Sequence, residues 1–207
     1  MSTTHPKGVT KVYHSSHTAK YRYRKPLVTK PAPKEETPAT RIKSYVSKLG
    51  PVKPIDYRKP KEDDIDSYDV EIVRVIRAKN VERLREMFLS GRSMNACNQF
   101  GESLVHMVCR RGDLDTLKFM IDEAKVSFSI KDDFGRNPFH DACWTPDPNM
   151  EMMDLLIASA DTTLLLSEDI RGNTPFDYAR REHHKQWNDY LEKRKEDILK
   201  GLHRDSV

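Results

Sequence analysis

Two histidine–cysteine pairs recur at the same spacing: His106 with Cys109, and His140 with Cys143. Two imidazoles and two thiolates make a tetrahedral zinc set if the fold brings them together. Asp141 beside His140, with Cys143 near, can also be read as a nucleophile–base arrangement. His183 and His184 form a third candidate, whose plainer reading is a solvated turn. No glycine-rich phosphate loop is present, and no family nucleophile signature surrounds either cysteine. What these residues can do depends on the elements that hold them.

Each pair follows a similar segment. Residues 132–142 read Asp-Asp-Phe-Gly-Arg-Asn-Pro-Phe-His-Asp-Ala, a tight turn that feeds a short helix. Gly135 can take a positive φ there, and Pro138 sits where a first-turn residue needs no N–H. Residues 98–108 and 169–179 repeat the pattern, with Gly101, Gly135 and Gly172 spaced 34 and 37 residues apart. This segment resembles the Asp-x-x-Gly-x-Thr-Pro-Leu-His-x-Ala signature of the ankyrin repeat, whose period is about 33 residues. Asn137 stands for the Thr, Phe139 for the Leu, and Ser103-Leu104 for the Thr-Pro. Residues 140–144 and 180–184 are also similar to those of algal-type ankyrin proteins, a likeness that implies no function.

The resemblance implies an all-α ankyrin-repeat solenoid, with helix-turn-helix repeats joined by β-hairpin fingers. It covers about two-thirds of the chain, in units at roughly 66–97, 98–131, 132–168 and 169–200. It further implies that His106 and His140 hydrogen-bond neighbouring loop backbone. Cys109 and Cys143 would fill small buried positions between helices. Repetition of the fold then accounts for repetition of the pairs. No metal, cofactor or catalytic residue is expected.

The apolar spacing predicts helices over 70–78 and 81–89, opened by an N-cap at Asp66 or Ser67. Phosphorylation of Ser67 is the functional alternative. In the second unit a helix is expected over 104–110, a turn at Gly112-Asp113, and Leu117, Met120 and Ile121 facing inward. In the third, Met152, Leu155 and Leu156 pack inward, and the Leu-rich stretch 160–169 is expected to be a protruding or re-aimed finger. The fourth unit places His183-His184 in the interhelical turn and closes with the charged run 192–200, as a terminal repeat needs.

The net charge of +4 hides a split: residues 1–61 carry +12 and residues 62–207 carry −8. Eight of the twelve prolines also precede residue 61, so 1–61 is expected to be a disordered, Pro-rich basic tail. Ile42, Tyr45, Val46 and Leu49 fall on one helical stripe, which predicts a short helix over 41–49 capped by Thr40. Too short to stand alone, it should dock on its own body or on a partner. Residues 51–61 read as an extended linker. The run Lys20 to Pro26 interleaves cations with tyrosines, which suits phosphate and base contacts as well as a nuclear-import patch. No apolar stretch is long enough to span a membrane, and no apolar region marks a secretory signal. Three scattered cysteines suit a reducing, cytoplasmic or nuclear setting. Residues 1–34 contain no acid, which leaves organellar import open. The C-terminal Asp205-Ser206-Val207 could offer a carboxylate to strand addition.

A monomeric, non-catalytic adaptor or scaffold that binds a protein partner is the function these features imply. The resemblance places its contact surface at the finger tips and the concave face. On this chain the tips are Gln99, Phe100 and Glu102, then Asp133, Phe134 and Arg136, then Ile170, Arg171 and Asn173. Along the inner helices stand Met107, Arg110, Arg111, Asp141, Trp144, Tyr178 and Arg181. Phe100, Phe134, Arg111 and Trp144 are the first expected anchors, since aromatics and Arg dominate interface energetics. The alternative is a nucleic-acid-associated regulator that uses the basic tail while the repeats recruit a protein. A third reading folds the +12 tail back over the −8 body as an autoinhibitory mask.

Overall fold

The computed structural model describes residues 36–47 and 53–204. Three helix pairs stack side by side. The first pair is α3 (Val70–Arg77) and α4 (Val81–Leu89), the second α5 (Leu104–Arg110) and α6 (Leu114–Asp122), the third α7 (Pro138–Trp144) and α8 (Met150–Ser159). The inner helices α3, α5 and α7 form one layer, and the outer helices α4, α6 and α8 form a second. Leu84, Leu104, Leu117, Met120, Phe139, Met152 and Leu156 fill the space between them. Each unit alone would leave an apolar face in water, so stacking supplies the core.

Short polar side chains start these helices. Asp69, Asn80, Asp113 and Asn149 each accept a hydrogen bond from the backbone N–H three residues on. Asp69 therefore opens α3, and the expected caps Asp66 and Ser67 do other work. The acids before them form an extra helical turn, α2 (Glu62–Asp66). Its Asp64 is buried against Arg58, the Lys61 N–H and the Ser93 hydroxyl. Burial pushes its pKa up, but those donors outweigh it and hold the carboxyl below its usual range.

The fourth unit departs from the pattern. Its inner element is only a 3-10 turn, Pro175–Tyr178, and a second turn, Arg181–His183, runs into the long helix α9 (His184–Arg204). His183 and His184 are thus the lead-in to α9 and donate to the Pro146 and Ala179 carbonyls. Trp187 is buried edge-on between Phe176 and Tyr190. The stretch 160–169 does not protrude. It coils as a 3-10 turn, Thr162–Leu166, with Leu164 and Leu165 fully buried. Three consecutive leucines lower the free energy more under α9 than in water.

Within the segment expected as tail and linker, the described residues 36–47 and 53–61 are laid on the stack. Helix α1 runs Pro38–Val46, three residues earlier than its apolar stripe predicts, because Thr37 caps it and Pro38 takes the first turn. Ala39, Ile42 and Tyr45 are buried against α9, where Arg41 and the Tyr45 hydroxyl both meet Glu192. Residues 53–61 then pass across the loops between units. The Arg58 N–H donates to the Ser129 carbonyl, the Tyr57 hydroxyl meets Ser167, and Lys131 sits over the Tyr57 ring. The Lys20–Pro26 run and the C-terminal Asp205-Ser206-Val207 lie outside the described residues, as do Gly50 and Pro51.

Candidate partner-binding groove

Three fingers are built by one local device. Asn98, Asp132 and Asp169 each use Oδ1 to accept the N–H groups two and four residues on. A backbone bond closes each turn, from Gly101, Gly135 or Gly172 back to the Asx carbonyl. Adjacent fingers are then zipped together: Asp133 N–H donates to the Phe100 carbonyl and Ile170 N–H to the Phe134 carbonyl. The fingers are tight hairpins rather than ladders. Among the described residues the only isolated bridge outside named strands is Cys97 with Ser103.

His106 and His140 lock each finger to the next. Nδ1 of His106 accepts from the Ser103 N–H, and its Nε2 lies 3.0 Å from the Arg136 carbonyl. His140 does the same with the Asn137 N–H and, at 3.2 Å, the Asn173 carbonyl. A carbonyl can only accept, so each ring carries its proton on Nε2. Both nitrogens of both rings are therefore engaged in holding backbone, and neither is turned toward Cys109 or Cys143 as a ligand. Burial also pushes both thiols well above the ordinary cysteine range.

Burial lowers the pKa of both imidazoles, so the folded protein holds them neutral. An unfolded chain binds protons on them below about pH 6.5, where the folded chain does not. Stability is therefore full above that pH and falls as acid is added. The slope is at most about 1.4 kcal/mol per pH unit for each histidine. Thermal melts between pH 7.5 and 5 should show a falling midpoint, and a flat one would contradict this role.

Between the second and third of these fingers and the inner elements lies a groove of about 370 Å³. It is lined by Arg110, Phe134, Arg136, Asp141, Trp144, Ile170, Arg171 and Tyr178, with His140 and Asp169 at its floor. Phe134, Trp144 and Ile170 are 46%, 51% and 68% exposed, and together they give the groove an exposed apolar lining. Trp144 meets Tyr178 edge-on at 5.8 Å, and the Arg136 guanidinium sits 5.0 Å over the Phe134 ring. The Tyr178 hydroxyl donates to Asp169 at 2.6 Å. Burial and that bond push Tyr178 up to about 12. Asp169 is raised by burial, but the Tyr178 hydroxyl and the Asn173 and Arg171 N–H groups hold it at about 2.

Eight of the expected contact residues thus converge here: Arg110, Phe134, Arg136, Asp141, Trp144, Ile170, Arg171 and Tyr178. Phe100 stands on the preceding finger, 56% exposed, and Asp133 is exposed beside Phe134. Glu102, Met107 and Arg111 line a neighbouring hollow with Tyr68 and Arg77. Two expected contacts turn inward. Asp141 is buried because Arg110 grips both its oxygens, at 2.9 and 3.2 Å. Met107 is buried because the Tyr68 hydroxyl packs on its sulfur. The pairing of Asp132 with Arg136 was open to sequence reasoning, since the two stand four apart across one turn, but only its geometry shows which charge is covered.

Residues 72–165 match the family model described as ankyrin repeats, in three copies. Over 85 residues, 40% of the chain, the sequence is 27% identical to a Caenorhabditis elegans protein that bears the name "Putative glutaminase 2". The chain spans 14% of the length of that relative. Among the described residues, no helix is long and apolar enough to cross a membrane.

Proposed function

The chain is an ankyrin-repeat protein, and from that premise we propose that it is a non-catalytic scaffold that captures one protein partner, as a monomer, through the groove and the finger tips. Ankyrin repeats generally mediate protein–protein interaction and are typically non-catalytic. The observation that carries the reading is the exposed cluster of Phe134 and Ile170, on fingers that are bonded to one another, with Trp144 at the end of α7. Large exposed apolar side chains over a polar rim mark interaction surfaces. The activity in the name of the worm relative belongs to a protein of which this chain spans a small part, and the proposal does not extend to it.

The test replaces Phe100 and Phe134 together by alanine in the full chain. Affinity capture with mass spectrometry should lose the partners that the unaltered chain retains, while the thermal midpoint moves by no more than about 2 °C. A collapsed melt would mean that the two rings are core. The second reading, nucleic-acid association through the basic tail, rests on the +12 charge of residues 1–61 and the interleaved cations and tyrosines of Lys20–Pro26. Deleting residues 1–34 leaves every described residue in place. Partners lost by that deletion or by nuclease would favour the second reading, and partners kept through both would favour the groove.

A further inference from the structure

The ion pairs around the groove are lopsided. Arg110 is 37% exposed in its side chain while its groove partner Asp141 is 4% exposed; its other partner, Glu102 at 30%, lies outside the groove. Arg136 is 30% exposed and its partner Asp132 3%. Asp169 is also buried, with both oxygens taken by the Tyr178 hydroxyl and two backbone N–H groups. The anionic halves face the protein and the guanidinium halves face the groove. Arg171 is exposed and, among the described residues, has no carboxylate within ion-pair distance. Exposed Trp144 adds an indole N–H, which can only donate. An incoming chain therefore meets apolar rings, the Arg171 guanidinium and the Trp144 N–H, while Asp141 and Asp169 lie beneath.

Resting on the groove reading above, we propose that the occupant is an acidic peptide segment. It places a bulky apolar side chain among Phe134, Trp144 and Ile170. An Asp or Glu within about three residues of that anchor reaches Arg171 and the outer edge of Arg136 or Arg110, a span set by an extended strand. A basic segment would bring like charge against the three guanidiniums, and the two carboxylates that line the groove, Asp141 and Asp169, are buried beneath them. The acidic preference is thus opposite to what the net charge of −8 over residues 62–207 suggests.

The probe is a phage-displayed library of random 12-residue peptides, selected on the full chain at low salt. Recovered peptides should carry Asp or Glu beside Trp, Phe or Leu. A synthetic copy should bind about tenfold or more weakly to the Arg171→Glu variant, and about as weakly to Trp144→Ala. Arg171→Glu should also recover Lys- or Arg-bearing peptides in their place. Arg171 is exposed and, among the described residues, in no ion pair, so its variant should melt with the unaltered chain. Neutral or basic peptides that still need Trp144 would overturn the acidic preference and leave the groove standing. Peptides indifferent to both Trp144→Ala and Phe134→Ala, or no enrichment at all, would overturn the preference and the groove together.

Discussion

Gly101→Ala should destabilise the protein by about 3 kcal/mol, whereas Gly172→Ala should cost only about 1 kcal/mol. Both glycines close the same kind of finger turn, at φ of +79° and +78°. An alanine pays the left-handed backbone penalty equally at either one. They differ in what lies above them. A Cβ on Gly101 would stand 2.6 Å from the Lys131 carbonyl oxygen and 3.2 Å from the Asp132 Cα, both backbone of the next finger. A Cβ on Gly172 meets nothing within 4 Å. At Gly101 the fingers must separate, which weakens the bond from the Asp133 N–H to the Phe100 carbonyl and strains the His106 bridge. Urea unfolding of the two variants gives the comparison directly. Equal losses would mean that the fingers can shift apart without cost.

Ile42→Asp should release α1 from the end of the stack without unfolding the three helix pairs. Ile42 is fully buried against α9, and no cationic side chain faces it from its own helix, because Arg41 and Lys43 point to Glu192 and Asp177. Losing the apolar contact and burying an unpaired carboxylate together cost about 4 kcal/mol or more, which exceeds what a nine-residue helix gains by docking. Hydrogen exchange should rise across α1 and the facing side of α9, and stay unchanged over α5 and α7. Ser47→Asp, on an exposed position just past the helix, should leave exchange across α1 and α9 unchanged. Global loss of protection in Ile42→Asp would instead make α1 an integral layer of the core.

The docked segment also bears on autoinhibition. Residues 53–61 cross the loops at Asn95, Ser129 and Ser167, and α1 caps α9, while Phe134, Trp144 and Ile170 remain exposed. None of the described residues of the basic segment lines the groove. A mask built from residues 1–35 would be a further element, outside the described residues.

The finger turns, the helix starts and the repeat spacing could be read from the sequence because each is settled within about ten residues. An Asx side chain bonds N–H groups two and four positions on, a glycine accepts a positive φ, and a proline opens a helix. Those local choices are the same whatever packs against them, so Leu104–Arg110 and Val81–Leu89 stand where the pattern puts them. The likeness of Gly-containing turns at 101, 135 and 172 also exposed the solenoid, since equal units must stack to cover their apolar faces. Tertiary structure decided the rest. The stretch around the leucines at 164–166 was expected to be a protruding or re-aimed finger, and the burial of Leu164 and Leu165 decided against protrusion. Helix α1 gained its place from contacts about 150 residues away along the chain, which no local window contains. In the groove, the sequence supplied Arg110, Arg136, Asp132 and Asp141 as charges without direction. Only packing determined that the carboxylates lie underneath and the guanidiniums face out, because desolvation falls on whichever half of each pair the neighbouring repeat covers.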